Sequence, residues 1–446
     1  MPPASDRPKL LLAGDAAVPT GFARLIHGVF SRLTDRWEIA QLGVNHLGDP
    51  HDWPWPIYRA GLYGGVFGID RIAALAGHLR PDVVVLVSDL SVVGEWADAL
   101  AAWPGRAHTP VVAYVPVERG PLHPAHVRGA AAVDLLLCYT EFGASELRRG
   151  AERERERHPD FSLPAVEVIP HGVDTALFRP VRGNDAFDRG PVRRKLFGDD
   201  SLRSAFIVLN ANRNQLRKRI DVTIKGFSLF AEGKPEDVLL YLHMGRIDVG
   251  WDVLELARRF GIEERLVMSG KEDGIPNLPG EEVNAIYNAC DVGVNTASGE
   301  GWGLVAFEHA ATGAAQVVPA HSAPAELWRG AAELLETDGT LTNPDNLEED
   351  WIIRPETLAA ALERLYADRA HLREMSRRAY ENATRAEYGW TAVAHRWDAA
   401  LRRALEMRGR RPGGEAGAPA TADIAAPPLP GARRGTPAGG APRNSA

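Results

Sequence analysis

Short continuous apolar runs recur along this chain, separated by longer stretches in which apolar residues return every three or four positions. LLLAGD, EIAQLGV, DVVVLVSD, PVVAYVP, DLLLCYT and VEVIPHG read as buried strands of one parallel sheet, with helices such as GFARLIHGVFSRL between them. After a Pro, Gly and Arg mixture at 179–194 the alternation begins again: FIVLNAN, LLYLHMG, LVMSG, VGVNTA and QVVPA give a second sheet of the same kind. The pattern predicts an α/β protein of two doubly wound, Rossmann-like parallel-sheet domains, residues 1–185 and 195–387, with a last helix over 388–407. In such a pair the carboxyl ends of both sheets face a shared cleft, where ligands bind.

Length and composition narrow this picture. A chain of 446 residues is too long for one ordinary core. An apolar content of 45% and a charged content of 25% are those of a globular protein, and a net charge of −8 argues against a nucleic-acid partner. No apolar run approaches the length of a membrane span, and MPPASDRPKLLLAGD lacks a charged-then-apolar signal pattern, so a cytoplasmic location is expected. The run RRGAERERERHPD at 148–160 alternates Arg and Glu and reads as a solvated helix face, which limits membrane contact to the peripheral kind. Cys138 and Cys290 lie in apolar runs and are expected as buried free thiols. Residues 409–446 are rich in Pro, Gly and Ala, a composition that favours a disordered tail.

The densest chemistry is GEGWGLVAFEHAATG at 299–313, which follows one buried run and precedes another. Glu300 and Glu308 stand in an E-x7-E spacing, and a helix starting near Gly303 would carry Glu308 in its first turns. Gly301 and Gly303 allow a ligand close to the backbone, and a glutamate can accept two sugar hydroxyls, so a phosphorylated sugar is the expected ligand. NANRNQLRKRID places Arg213, Arg217, Lys218 and Arg219 just after a strand. Cations there can grip a diphosphate and stabilise the charge that grows on it as a glycosidic bond breaks. From spacing alone any of the four can be the phosphate ligand, and an isolated RKR is equally a salt-bridged surface loop. GDAAVPTGFARL, with Gly21 opening a helix, is a turn that can approach a phosphate, although neither a G-x-G-x-x-G nor a P-loop pattern is present. The cluster DWPWPIYRAGLYGG, with Trp53, Trp55, Tyr58 and Tyr63, reads as aromatic packing within a loop.

VIPHGVDTALFRP, NANRNQLRKRIDVTIKGF, NAIYNACDVGVNTASGEGWGLVAFEHAATG and HSAPAELW together resemble, in order, the signature blocks of family four (group 1) glycosyltransferases, retaining enzymes of GT-B fold. The resemblance implies a GT-B architecture whose last helix crosses back onto the first, acceptor-binding domain, and a sugar nucleotide bound in the second. It implies phosphate-binding roles for Arg213 and Lys218, with Arg217 and Arg219 as bystanders. It further implies a ribose contact for Glu308, and donor-sugar and distal-phosphate contacts for Glu300 and the backbone of Gly301, Trp302, Gly303 and Leu304. Many relatives carry a histidine after the fourth strand of the first domain; here YVPVERGPLHPAH offers Glu118 at about that place, with His123 as the alternative. His171 is expected as a buried hinge residue.

The expected reaction is transfer of a sugar from a nucleotide diphosphate, with retention, to a carbohydrate, lipid or other acceptor. No cofactor or metal is expected, because the chain holds no D-x-D pair. The competing readings are a sugar-nucleotide 2-epimerase, which turns over donor without acceptor, and a noncatalytic nucleotide-sugar-binding protein. A dehydrogenase is disfavoured by the missing glycine fingerprint.

Overall fold

The computed structural model describes residues 6–409 apart from 17–19, 62–64, 182–187, 199, 271–272 and 275. Tyr63 of the aromatic cluster and the Pro/Gly/Ala-rich segment 410–446 lie outside the described residues.

Seven strands form the first sheet: β1 (Lys9–Asp15), β2 (Glu38–Val44), β3 (Ile57–Arg59), β4 (Val83–Val87), β5 (Val111–Val115), β6 (Leu135–Cys138) and β7 (Ala165–Val168). They are all parallel, in the order β3-β2-β1-β4-β5-β6-β7, so the winding reverses between β1 and β4. The second sheet contains β8 (Phe206–Asn210), β9 (Val238–Leu242), β10 (Leu266–Met268), β11 (Val292–Val294), β12 (Ala315–Pro319) and β13 (Glu333–Leu335). Its order is β10-β9-β8-β11-β12-β13, reversing between β8 and β11. A short antiparallel hairpin, β14 (Thr340–Thr342) with β15 (Glu349–Trp351), follows. Strand β3 lies inside the segment read as an aromatic loop, and β13 and the hairpin had no apolar run to announce them.

Helices cover both faces of each sheet, which is why VVVLV and VVAYV are buried at every position rather than alternately. The two-residue period still divides them. Leu10, Leu12, Val83, Val85, Val112 and Tyr114 enter a core that continues into the second domain, whereas Leu11, Ala13, Val84, Leu86, Val111 and Ala113 pack with Trp96 on the outer face. Phe206, Val208 and Leu240 face a third core.

The last helix, Trp390–Gly409, returns to the first domain. Its Trp397 is fully buried, with its ring 5.3 Å from Phe30 and 5.0 Å from Tyr114, and Asp398 accepts from Trp37 Nε1 at 2.8 Å. Gly28 and Gly172 leave space for the Trp390 ring: a Cβ on either would lie 2.5 Å or less from it.

In the helix Glu141–Arg157 the Arg/Glu run is exposed as expected at Arg148, Arg149, Glu152, Arg155, Glu156 and Arg157, with two glutamates of the helix as exceptions. Glu146 and Glu154 turn inward, and Glu154, 1% exposed, is paired with Arg128 at 2.9 Å. The alternating charges hid a small-residue stripe, Gly143, Ala144, Leu147, Gly150 and Ala151, that packs the helix down. Cys138 and Cys290 are free and buried, and burial pushes both thiols up to about 12.

Candidate active site

The two loops that follow β8 and β11 flank the reversal of the second sheet, and they are stitched together. The Thr296 hydroxyl donates to the carbonyls of Lys218 and Arg219 at 3.1 and 2.9 Å, and Ser298 N donates to the Arg217 carbonyl at 2.8 Å. This fixes Lys218, in the short turn Leu216–Lys218, beside Glu300, and their side chains form an ion pair. Asn295 Nδ2 donates to the same Glu300 oxygen at 3.1 Å. Burial pushes the Glu300 carboxyl up, but Lys218 and Arg217 more than offset it and hold the group down at about 2. Lys218, 9% exposed, is itself shifted below the usual ammonium range by burial and by Arg217, against the pull of Glu300.

The glycines let this loop meet the first domain. Gly303 caps the seven-residue helix Leu304–Ala310 with φ +87, a conformation that suits glycine. A Cβ on Gly301 would come 3.0 Å from Pro116, and one on Gly299 3.1 Å from the Glu118 carbonyl, to which Glu300 N donates at 3.0 Å. Glu118 follows β5 and lies across from Lys218 and Glu300. Burial raises its carboxyl, and Asp89 and Glu300 raise it further, against the opposing charges of Arg217 and Lys218.

Of the residues singled out in the sequence, Lys218, Glu300 and Glu118 therefore come together. Arg213 does not join them: its guanidinium forms a two-pronged pair with Asp248 at 2.5 and 3.0 Å. Arg217, expected as a bystander, takes the place instead, 2.8 Å from Glu118 Oε1 and 3.7 Å from Glu300 Oε1. The sequence signal was R-K-R itself, which could not say which way each side chain turns. Arg219, with φ +49, turns away to Asp221.

Glu308 lies one helix turn beyond the glycines, 2% exposed and paired with Arg24 of the first domain. Burial raises its carboxyl, with Arg24 and the neighbouring Tyr287 hydroxyl opposing. Trp302 contributes its side chain to the core, stacked on Phe307 at 4.7 Å, so only its backbone can face a ligand; Leu304 is half-buried against the same core. Gly21 opens the first helix after the Thr20 cap, and a Cβ there would meet nothing within 4 Å, so close backbone packing does not require this glycine.

His123 is not in the cluster: its ring accepts from Ala125 N at 3.2 Å and caps the next helix. His171 is buried, with its Nε2 3.4 Å from the Gly21 carbonyl, and burial lowers it to about 4. Trp55 is buried and donates to Gln41 at 2.9 Å, whereas Trp53 is 39% exposed and stacks on His27.

The hairpin was wholly missed. Asp350 accepts from Ser298 Oγ at 2.7 Å and pairs with Arg119 at 2.6 Å, and Glu349 N donates to the Gly120 carbonyl at 3.2 Å. It straps the loop after β11 to the loop that carries Glu118. Among the described residues no three His, Cys, Asp or Glu side chains group as a metal site, and no helix is long and apolar enough to cross a membrane.

Two facing parallel-sheet domains with such a cleft define a GT-B protein. HepE of Anabaena, solved with UDP and glucose, superposes with a TM-score of 0.65 at 16% identity, over 89% of this chain and all of that one. Residues 251–400 match the family described as glycosyl transferase-like. D-inositol 3-phosphate glycosyltransferase of Salinispora tropica is 30% identical over 162 residues, 35% of this chain and 32% of that protein. The enzyme of the same name from Nocardia farcinica is 28% identical over 299 residues, 64% of this chain and 56% of its own length. The chain thus spans about a third to just over half the length of these curated relatives. Over these stretches the chain is similar to group 1 glycosyltransferases.

Proposed function

We propose that the protein transfers a sugar from a nucleotide diphosphate sugar to a hydroxyl acceptor. The observation that carries this reading is the Lys218–Glu300 pair at the reversal of the second sheet, with Glu118 of the first domain facing it. In the reaction as we read it, Lys218 stabilises the negative charge that develops on the departing diphosphate. Glu300 and the backbone of Gly301 to Leu304 hold the donor sugar and distal phosphate, Glu308 holds the ribose, and the turn at Gly21 approaches a phosphate. Glu118 orients the acceptor hydroxyl. The acceptor attacks from the face the diphosphate leaves, with retention, and the leaving phosphate oxygen helps to deprotonate it.

On this reading the protein cations supply the charge a metal otherwise would, so neither a metal nor another cofactor takes part. We place the enzyme in the cytoplasm, since the free thiols of Cys138 and Cys290 suit a reducing compartment. HepE, with UDP and glucose in its crystal structure, supports a uridine donor as the first to try.

Thermal unfolding with uridine, guanosine and adenosine diphosphates and their sugars tests the donor half. A bound ligand at one hundred times its dissociation constant adds about 2.7 kcal/mol of stability. Donor turnover with and without sugar, cyclitol and lipid acceptors then tests the reaction. Stabilisation without transfer or hydrolysis would favour a noncatalytic binder, and acceptor-independent conversion of the donor sugar would favour an epimerase.

A further inference from the structure

Glu118 and Glu300 come from different domains, yet one guanidinium serves both. Arg217 Nη2 lies 2.8 Å from Glu118 Oε1, while Nη1 donates to the Gly299 carbonyl at 3.0 Å and lies 3.7 Å from Glu300 Oε1. The Arg217 carbonyl is pinned by Ser298 N at 2.8 Å, so its backbone moves with the donor loop. A planar guanidinium presents several donors in fixed directions and can serve a carbonyl and two carboxylates together. The ammonium of Lys218 is a point charge already committed to Glu300.

Resting on the transferase reading, we propose that Arg217 is a positioning residue: it holds Glu118 of the first domain against the donor loop, so that the acceptor-side carboxylate is aligned by the donor-binding half. Its side chain is 23% exposed and lies where the two domains meet, and the neighbouring backbone bond from Glu300 N to the Glu118 carbonyl fixes the same approach.

The charged groups facing Glu118 set the sign of the pH effect. Arg217, Lys218 and Glu300 face it from the donor side, Asp89 from the turn after β4, and Arg119 from its own loop at 3.8 Å. Asp89 is in turn faced by Arg217 and His126. Burial, Asp89 and Glu300 all raise Glu118, and Arg217 is the leading opposing charge. Loss of Arg217 therefore raises Glu118 further, and activity that needs its ionised form is lost at a higher pH as the solution is acidified.

The test compares full-length wild type, Arg217→Lys, Arg217→Met, Glu118→Gln and the Met/Gln double variant. Turnover of donor is measured across pH, and melting temperature at neutral pH. Arg217→Met is expected to lower kcat by about tenfold or more with a smaller change in donor KM, and to move the acidic limb to higher pH. Arg217→Lys should return the limb most of the way. In the Glu118→Gln background, Arg217→Met should cost much less in both kcat and melting temperature, because the partner is already gone. Additive effects in the cycle, or an acidic limb unmoved in Arg217→Met, would overturn the proposal. If the wild type neither transfers nor hydrolyses any donor, the transferase reading fails and takes the catalytic role of Arg217 with it. The melting-temperature cycle then still shows whether the pair itself exists.

Discussion

Lys218 and Glu308 are asked to do different things, and kinetics can separate them. On the proposed reading Lys218 would face charge that appears mainly as the glycosidic bond breaks, so Lys218→Ala should lower kcat by about a hundredfold or more while weakening donor binding less. Glu308 would contact the nucleotide throughout, so Glu308→Ala should raise the donor dissociation constant, by calorimetry, with a lesser loss of kcat. Glu300 carries a pH signature of its own. Its carboxyl is held at about 2 in the folded protein against an ordinary 4.5. Folding therefore favours the ionised form, and that stability is present above about pH 4.5 and is lost as pH falls toward about 2. The melting temperature of Glu300→Gln should lie below wild type at neutral pH, and the gap should narrow on acidification through this window. A constant gap would mean that Glu300 is already neutral.

Among the elements, the crossing helix offers the sharpest test because it belongs to the core of the domain it returns to. Trp390, Val393, Ala394, Trp397, Leu401 and Ala404 are all buried along it. Ending the chain after Gly409 should leave melting temperature, donor affinity and turnover within about twofold, since none of these side chains is lost. Ending it before Trp390 should give insoluble or unfolded protein, and Trp397→Ala alone should cost about 3–5 kcal/mol in denaturant unfolding. If the longer protein, cut after Gly409, lost activity by itself, residues 410–446 would have to take part in the chemistry.

At the scale of the whole molecule, the cleft is held by side chains reaching across it. Glu326 of the second domain accepts from the backbone amides of Glu141 and Phe142 at 3.1 and 2.7 Å, at the start of a first-domain helix. Such a carboxylate satisfies helix-end donors that would otherwise need water. Arg24 to Glu308 and the hairpin strap cross the cleft as well. A site assembled this way, with cations from its own loops, leads to one further expectation: transfer should persist in excess chelator. Loss of turnover in chelator, restored by magnesium or manganese, would count against the metal-free reading.

The apolar runs by themselves determined most of this architecture. Strands buried on both faces must be continuously apolar, so the eleven strand segments read from the sequence coincide with strands, and the order of the blocks pointed to the family the chain resembles. Strand β3, inside the Trp-rich loop, and the 340–351 hairpin escaped because their three-residue strands, IYR, TLT and EDW, form no apolar run. The spacing of Lys218, Glu300 and Glu308 also survived folding, since loops at strand ends and a helix turn have few places to go. What only the tertiary structure decided was direction. In R-K-R the three cations are indistinguishable along the chain, and it took the stitched loops and the approach of Glu118 from another domain to point Arg217 inward and Arg219 out to Asp221. Glu154, in a run of alternating charge, is buried for the same reason: the partner that makes burial tolerable, Arg128, lies on a different helix. Periodicity reports what a side chain is, whereas pairing depends on groups distant in sequence that only the fold brings near.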